Sequence, residues 1–194
     1  MRTKIFEQIN FSTILFDTIF GLILFFSLDS FLEIQGVANF IFYIFSVIIV
    51  AHWWLIFRSA DDAFSGEVTD SAVDLAFGLV YMILLEYGIL FARSSNMKLA
   101  TVSLAALLTL DIVWALVWKY VGSWNNKDET QIKLMDRELT HNIWVDLTAL
   151  AAFLLLILFF AEIPIPLFVT LFILVYCAYV VITFKFRIID LRVF

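Results

Sequence analysis

Ionisable side chains sit where an apolar environment would have to hold them. Asp17, Asp29, His52, Asp74, Glu86, Asp111 and Asp146 interrupt long apolar runs, and Lys119 and Lys185 lie near run ends. At the centre of a spanning helix such a group costs at least about 2.5–3.5 kcal/mol, so it faces protein or water rather than lipid. Carboxylates and imidazoles placed this way bind and release protons, or draw cations along a path. Paired with an opposite charge, they instead lock helices together.

Spacing sorts these groups. His52 lies six residues before Arg58, about 9 Å along a helix, and Asp17 lies about two turns into the first apolar run. An antiparallel hairpin would bring Asp17 and His52 to similar depth, as a structural pair or as a titratable network beside a pathway. The same reasoning pairs Asp74 with Lys119 and Asp146 with Lys185. Asp17 and Asp29 are separated by about 120° around a helix. Asp17 groups with Phe20, Gly21, Leu24 and Leu28, a packing face in which Gly21 permits close approach. Asp29 groups with Thr18, Leu22, Phe25 and Phe26. That stripe is either a lipid-facing or helix-facing surface or the lining of a narrow pore, with Asp29 drawing cations to its mouth. Asp111, Trp114 and Trp118 share one face. Glu86 and Asp111 lie deepest and are the expected coupling acids for a proton or cation.

The elements that must position these groups follow from composition. The chain has 194 residues, 63% hydrophobic and 15% charged, with mean hydropathy +1.00. A soluble domain carries about 25% charged residues and cannot cover this much apolar surface. Six apolar stretches are long enough to span a bilayer, at about 11–32, 37–57, 71–92, 99–121, 143–160 and 164–184. Glu162, Pro164 and Pro166 break the last two apart. The expected fold is therefore an all-α integral membrane protein of six transmembrane helices in three antiparallel hairpins, forming a single domain over residues 1–194. Arg2 and Lys4 precede the first run, but the run is long, contains Asp17 and has no small-residue cleavage site, so it reads as a retained helix.

Lys and Arg set the orientation. With the amino terminus inside, inner segments hold Arg2, Lys4, Arg58, Lys119, Lys127, Lys133, Arg137, Lys185, Arg187 and Arg192, and outer segments hold only Arg93 and Lys98. Both termini are expected in the cytoplasm, with 122–142 as a cytoplasmic loop that includes a short interfacial helix. The Asp17–Leu22 segment (DTIFGL) is echoed by Asp74–Leu79 (DLAFGL), each followed twelve positions after its aspartate by an acid, Asp29 and Glu86. Such echoes fit an internal repeat of the kind transporters use.

Several classes are excluded. The net charge of −6 offers no basic patch for nucleic acid. The single cysteine, Cys177, cannot form an intrachain disulfide. No catalytic, phosphate-binding or cofactor motif occurs, and His52 and His141 lack metal-ligand spacing. No enzymatic activity, cofactor or metal is expected.

The segment Leu15-Phe16-Asp17-Thr18-Ile19-Phe20 resembles the FFDLVF element that opens the low-temperature-requirement-A membrane family. His52-Trp53-Trp54-Leu55-Ile56-Phe57, followed by Ser59-Ala60-Asp61-Asp62, resembles that family's second helix and acidic turn. The region is also similar to the endolysosomal and prokaryotic potassium channels with an FSD motif, although Phe16 stands where that motif has serine. The resemblance covers the first third of the chain. It implies six helices with both ends cytosolic, pores built from the first helix in tetramers, motif residues at Asp17 and His52, and a lining that includes Leu22 and Phe26. The expected function is membrane ion transport by a cation channel, with potassium the ion the resemblance implies. A homo-oligomer is expected because six short helices leave little room for a pore within one chain. The alternatives are a proton- or cation-coupled small-solute transporter, or a membrane scaffold or sensor subunit.

Overall fold

The computed structural model describes residues 11–29, 34–63, 72–121 and 129–185. Their regular structure is helical throughout: α1 Phe11–Asp29, α2 Val37–Ala63, α3 Ala72–Arg93, α4 Met97–Val121, α5 Glu129–Leu158 and α6 Ile165–Lys185. Five of these contain stretches long and apolar enough to cross a membrane: Val37–Leu55, Ala76–Arg93, Met97–Tyr120, Asp136–Leu158 and Ile165–Thr183. In α1 the described apolar stretch is shorter, Asp17–Ser27. Helix is the required answer for such sequences, because lipid offers the backbone no hydrogen-bond partner and a helix satisfies its own amides. Hydroxyls follow the same rule. Ser46, Thr101, Thr148 and Thr170 each donate to the carbonyl four residues back, at 2.8–2.9 Å.

The turns explain the helix ends. After α3, Ser95 takes a left-handed conformation with φ 59°. Asn96 N–H then bonds Phe91 O at 2.8 Å and Ser95 N–H bonds Ala92 O at 3.1 Å, satisfying the last carbonyls. Asn96 also starts α4 by accepting the Leu99 N–H at 3.2 Å. Gly36, at φ 87°, supplies the turn into α2 that a side chain would disfavour. Pro164 and Pro166 fit the first turn of α6, where a missing N–H costs nothing.

Packing is uneven. Consecutive helices pack as the expected hairpins do, and α4 packs extensively on α5 as well as on α3, which joins the second and third hairpins. Buried Ala100, Thr101, Ser103, Ala105 and Ala115 keep α4 slim enough to be approached from both sides. Phe42 of α2, Phe153 of α5, and Phe168 and Phe172 of α6 form an aromatic core. Large apolar side chains such as Phe25, Leu55, Leu155, Leu158 and Leu174 are exposed. On a bundle of this composition that surface is lipid-facing, and the chain is a membrane protein with transmembrane helices.

Two expectations change. The 122–142 loop is shorter than read: Glu129–Asn142 continues directly into the span as one helix to Leu158, ahead of the expected start at 143. Its Glu, Lys, Leu, Met and Arg residues favour helix but break an apolar run, so a hydropathy reading stops too early. Similarly, α2 continues past Phe57 to Ala63 through polar residues.

Candidate functional site

The bundle brings its ionisable and phenolic groups together at mid-depth. Asp111 lies ten residues from the end of α4 at Val121, and Asp146 lies ten residues beyond Asp136, where the α5 span begins. Each is thus about 15 Å above the same face. A contact lower in the hairpin sets this register. Lys119 Nζ donates to Thr140 Oγ1 at 2.5 Å and pairs with Asp136 Oδ1 at 3.2 Å. From that contact Asp111 is eight residues up α4, and Asp146 is six to ten residues up α5. Both distances centre on about 12 Å.

At that level Asp111 and Asp146 hydrogen-bond through their carboxyl groups. Tyr81 of α3 donates its hydroxyl to Asp111 Oδ1 at 2.5 Å. Tyr179 of α6 lies within hydrogen-bonding reach of Asp146. Asp146 is only 2% exposed, and its Oδ2 has no hydrogen-bond partner among the described residues. Nor does any lysine or arginine among the described residues pair with either acid. A hydrogen bond between two carboxyl groups requires a proton on one of them. Two full charges about 4 Å apart would repel by about 4 kcal/mol even at an effective dielectric of 20. The two carboxyls thus meet as like groups, and a proton shared between them would relieve the repulsion.

Aromatic rings wall the site and extend it to α2. Trp53 packs 5.7 Å from the Tyr81 ring and stacks 6.4 Å from Tyr179. Tyr179 is 5.8 Å from Tyr176. Tyr176 OH and His52 Nδ1 share a hydrogen bond at 2.5 Å. Either group can be its donor, phenol to imine nitrogen or imidazole N–H to phenol oxygen, depending on tautomer. Five helices, α2 to α6, thus contribute to one polar cluster, buried at Trp53, Asp146, Tyr176 and Tyr179 and half-buried at His52, Tyr81 and Asp111.

The other sequence candidates lie elsewhere. Asp17 accepts from Trp54 Nε1 at 3.0 Å, which fixes α1 against α2. Glu86 is exposed and lies about 140° around α3 from Tyr81, away from the Asp111 cluster. Lys119 meets Asp136 and Asp146 meets Asp111, while the expected pairings of Lys119 with Asp74 and of Asp146 with Lys185 fall on side chains outside the described residues. Thr18, Leu22 and Phe26 are exposed on α1. Gly21 is exposed too, and a Cβ there would meet nothing within 4 Å, so it mediates no close approach among the described residues. The side chains of Asp29, Asp74 and Lys185 lie outside the described residues. Sequence reasoning passed over Tyr81, Trp53, Tyr176 and Tyr179. The available signal was Tyr176 and Tyr179 at helical spacing deep in an apolar run, where a phenol needs a hydrogen-bond partner.

The chain matches no protein-family model, no curated protein and no solved structure. Its class is thus defined by fold and site alone: a membrane protein, helical through its described residues, built around a carboxyl pair of which Asp146 is buried and Asp111 half-buried.

Proposed function

We propose that the chain is a proton-coupled membrane transporter of a small solute, with Asp111 and Asp146 as its proton site. The observation that carries this reading is the hydrogen-bonded carboxyl pair at mid-depth, with no lysine or arginine partner among the described residues. A purely structural pair is better served by opposite charges, as at Lys119 and Asp136, or by apolar packing. A like pair binds one proton firmly and resists losing it while the site stays dry, which is how a carrier couples proton occupancy to conformation. Tyr81 and Tyr179 orient the two carboxyls, and the Tyr176–His52 bond extends the polar path toward α2. In this reading all six helices span the membrane, with both termini cytoplasmic as the Lys and Arg distribution favours.

A homo-oligomeric cation channel is the second reading. Exposure of Leu22 (49%) and Phe26 (64%) supports it, because it leaves the α1 stripe available to neighbouring copies. Reconstituted liposomes separate the two. Asp111→Asn and Asp146→Asn should each lower proton-driven flux by about 100-fold, an effect in the range of a lost proton-transfer group. Both should also remove the infrared band of a protonated carboxylic acid. Wild-type flux in both variants would overturn the proton site. Potassium flux that survives both variants but is lost in Phe26→Ala would establish the channel.

A further inference from the structure

A small cleft lies directly beyond the carboxyl cluster, on the side of the bundle that carries the α3–α4 turn. Its volume is about 30 Å³, enough for a water molecule. The walls come from α2, α3, α4 and α6, the helices that also supply Trp53, Tyr81, Asp111 and Tyr176. At the cluster end its lining residues are Val50, Leu85, Leu107 and Phe172. Each stands one helical turn from a cluster member: Val50 from Trp53, Leu85 from Tyr81, Leu107 from Asp111 and Phe172 from Tyr176. One turn is about 5.4 Å. All four are buried, Leu107 to 1% exposure, and they form an apolar collar.

Beyond the collar the lining mixes small and hydroxyl residues, Ser46, Gly88, Ala100 and Ser103, with the apolar Ile49, Ile89 and Leu104. Gly88 and Ser103 face each other, since a Cβ built on Gly88 would lie 3.7 Å from Ser103 Cβ. Ala100 is three residues from the start of α4, so the cleft reaches close to the α3–α4 turn. Ser46 and Ser103 bond their own helix carbonyls and still have oxygen lone pairs to offer a water.

The geometry points to an access route: a proton reaches the Asp111–Asp146 pair from the α3–α4-turn face through this cleft, and the Val50–Leu85–Leu107–Phe172 collar is its gate. The inference rests on the proton-site reading above. When the collar wets, a hydronium in the cleft gives its proton to a carboxylate oxygen of the pair. The O–H bond breaks on the hydronium, which becomes water, and forms on the carboxyl, with no change of oxidation state. A narrow apolar ring blocks water when closed and conducts once wetted. The closed collar thereby keeps the site from the aqueous phase on the α3–α4-turn face.

Cysteine accessibility tests the route in liposomes. Cys177→Ser removes the only native thiol. In that background Lys98→Cys, exposed beside the turn, reports which face a charged, membrane-impermeant methanethiosulfonate reaches. Ser103→Cys should react from the face that modifies Lys98→Cys and not from the other, and modification should lower proton flux by about tenfold or more. Gly88→Cys is the second variant should Ser103→Cys fold poorly. Leu107→Ala should raise resting proton leak by about tenfold. Thiols that are unreactive from the Lys98 face, or modified without loss of flux, would overturn the route while flux still depends on Asp111. Flux that ignores Asp111→Asn would overturn the proton-site reading and this inference with it.

Discussion

The α4–α5 hairpin solves the same problem twice, in opposite ways. Near its base Asp136 of α5 faces Lys119 of α4, and Thr140 completes the contact. About 12 Å higher, Asp146 of α5 faces Asp111 of α4, acid against acid. The lower pair is partly solvated, with side chains 19% and 59% exposed, and its charges neutralise each other. In the upper pair Asp146 is buried and Asp111 half-buried, and no lysine or arginine among the described residues neutralises either. A helix pair that needed only to be held together could have repeated the lower solution. Opposite charges at the base thus set register, and in the proposed function the like carboxyls at mid-depth exploit that register for proton binding.

Replacing both acids with leucine breaks this contrast most severely. Buried polar pairs are often no more stabilising than apolar residues of similar volume. Asp111→Leu with Asp146→Leu should therefore insert and fold with unchanged or raised thermal stability, yet show no proton-driven transport. Unfolding scans in detergent beside liposome flux would check both halves. A double variant that fails to fold would make the upper pair a packing element like the lower one.

The lower pair should behave in reverse. Lys119→Met leaves Asp136 with water to solvate it, so the loss is that of a partly solvated ion pair plus the Thr140 bond, about 1 kcal/mol. For a chain of this size that lowers the melting temperature by about 2–4 °C. Transport should persist within about threefold of wild type, since less than 1 kcal/mol of barrier separates the two. Abolished transport in a folded Lys119→Met protein would join the two pairs into one pathway and erase the distinction.

Much of this architecture is readable in the sequence, and the unreadable parts have definite causes. Apolar runs reveal the spans, because lipid demands long uninterrupted helices. They miss the start of α5, where Glu129–Asn142 is helical but polar. Asp111 stands out as a mid-depth acid, whereas its partner does not. Asp146 could be matched to it only through the Lys119–Asp136–Thr140 contact, a tertiary fact. Glu86 looks equally important in a linear reading. The buried face of α3 runs through Met82, Leu85, Ile89 and Ala92, and Glu86 is rotated about 100° from Leu85. The tyrosines escape notice because phenols are unremarkable in membrane helices until a carboxylate is seen beside them.

The smallest expected effect concerns the turn that holds the α3–α4 pair, remote from both acid sites. Ser95 adopts φ 59°, a left-handed conformation that disfavours any residue with a Cβ. Its amide closes the α3 cap on Ala92 O, whereas the neighbouring Ser94 supplies the side-chain bond, from Oγ to Phe91 O at 3.0 Å. Ser95→Gly removes the Cβ penalty and keeps every backbone bond. Glycine's greater freedom in the unfolded chain offsets part of that gain, leaving a stabilisation of about 0.5–1 kcal/mol. The melting temperature should rise by at most about 2–4 °C with transport unchanged. A fall in stability would mean that the Ser95 side chain holds the turn. Altered transport would mean that the turn moves during the cycle, which would extend the gating region from the collar to the end of the bundle.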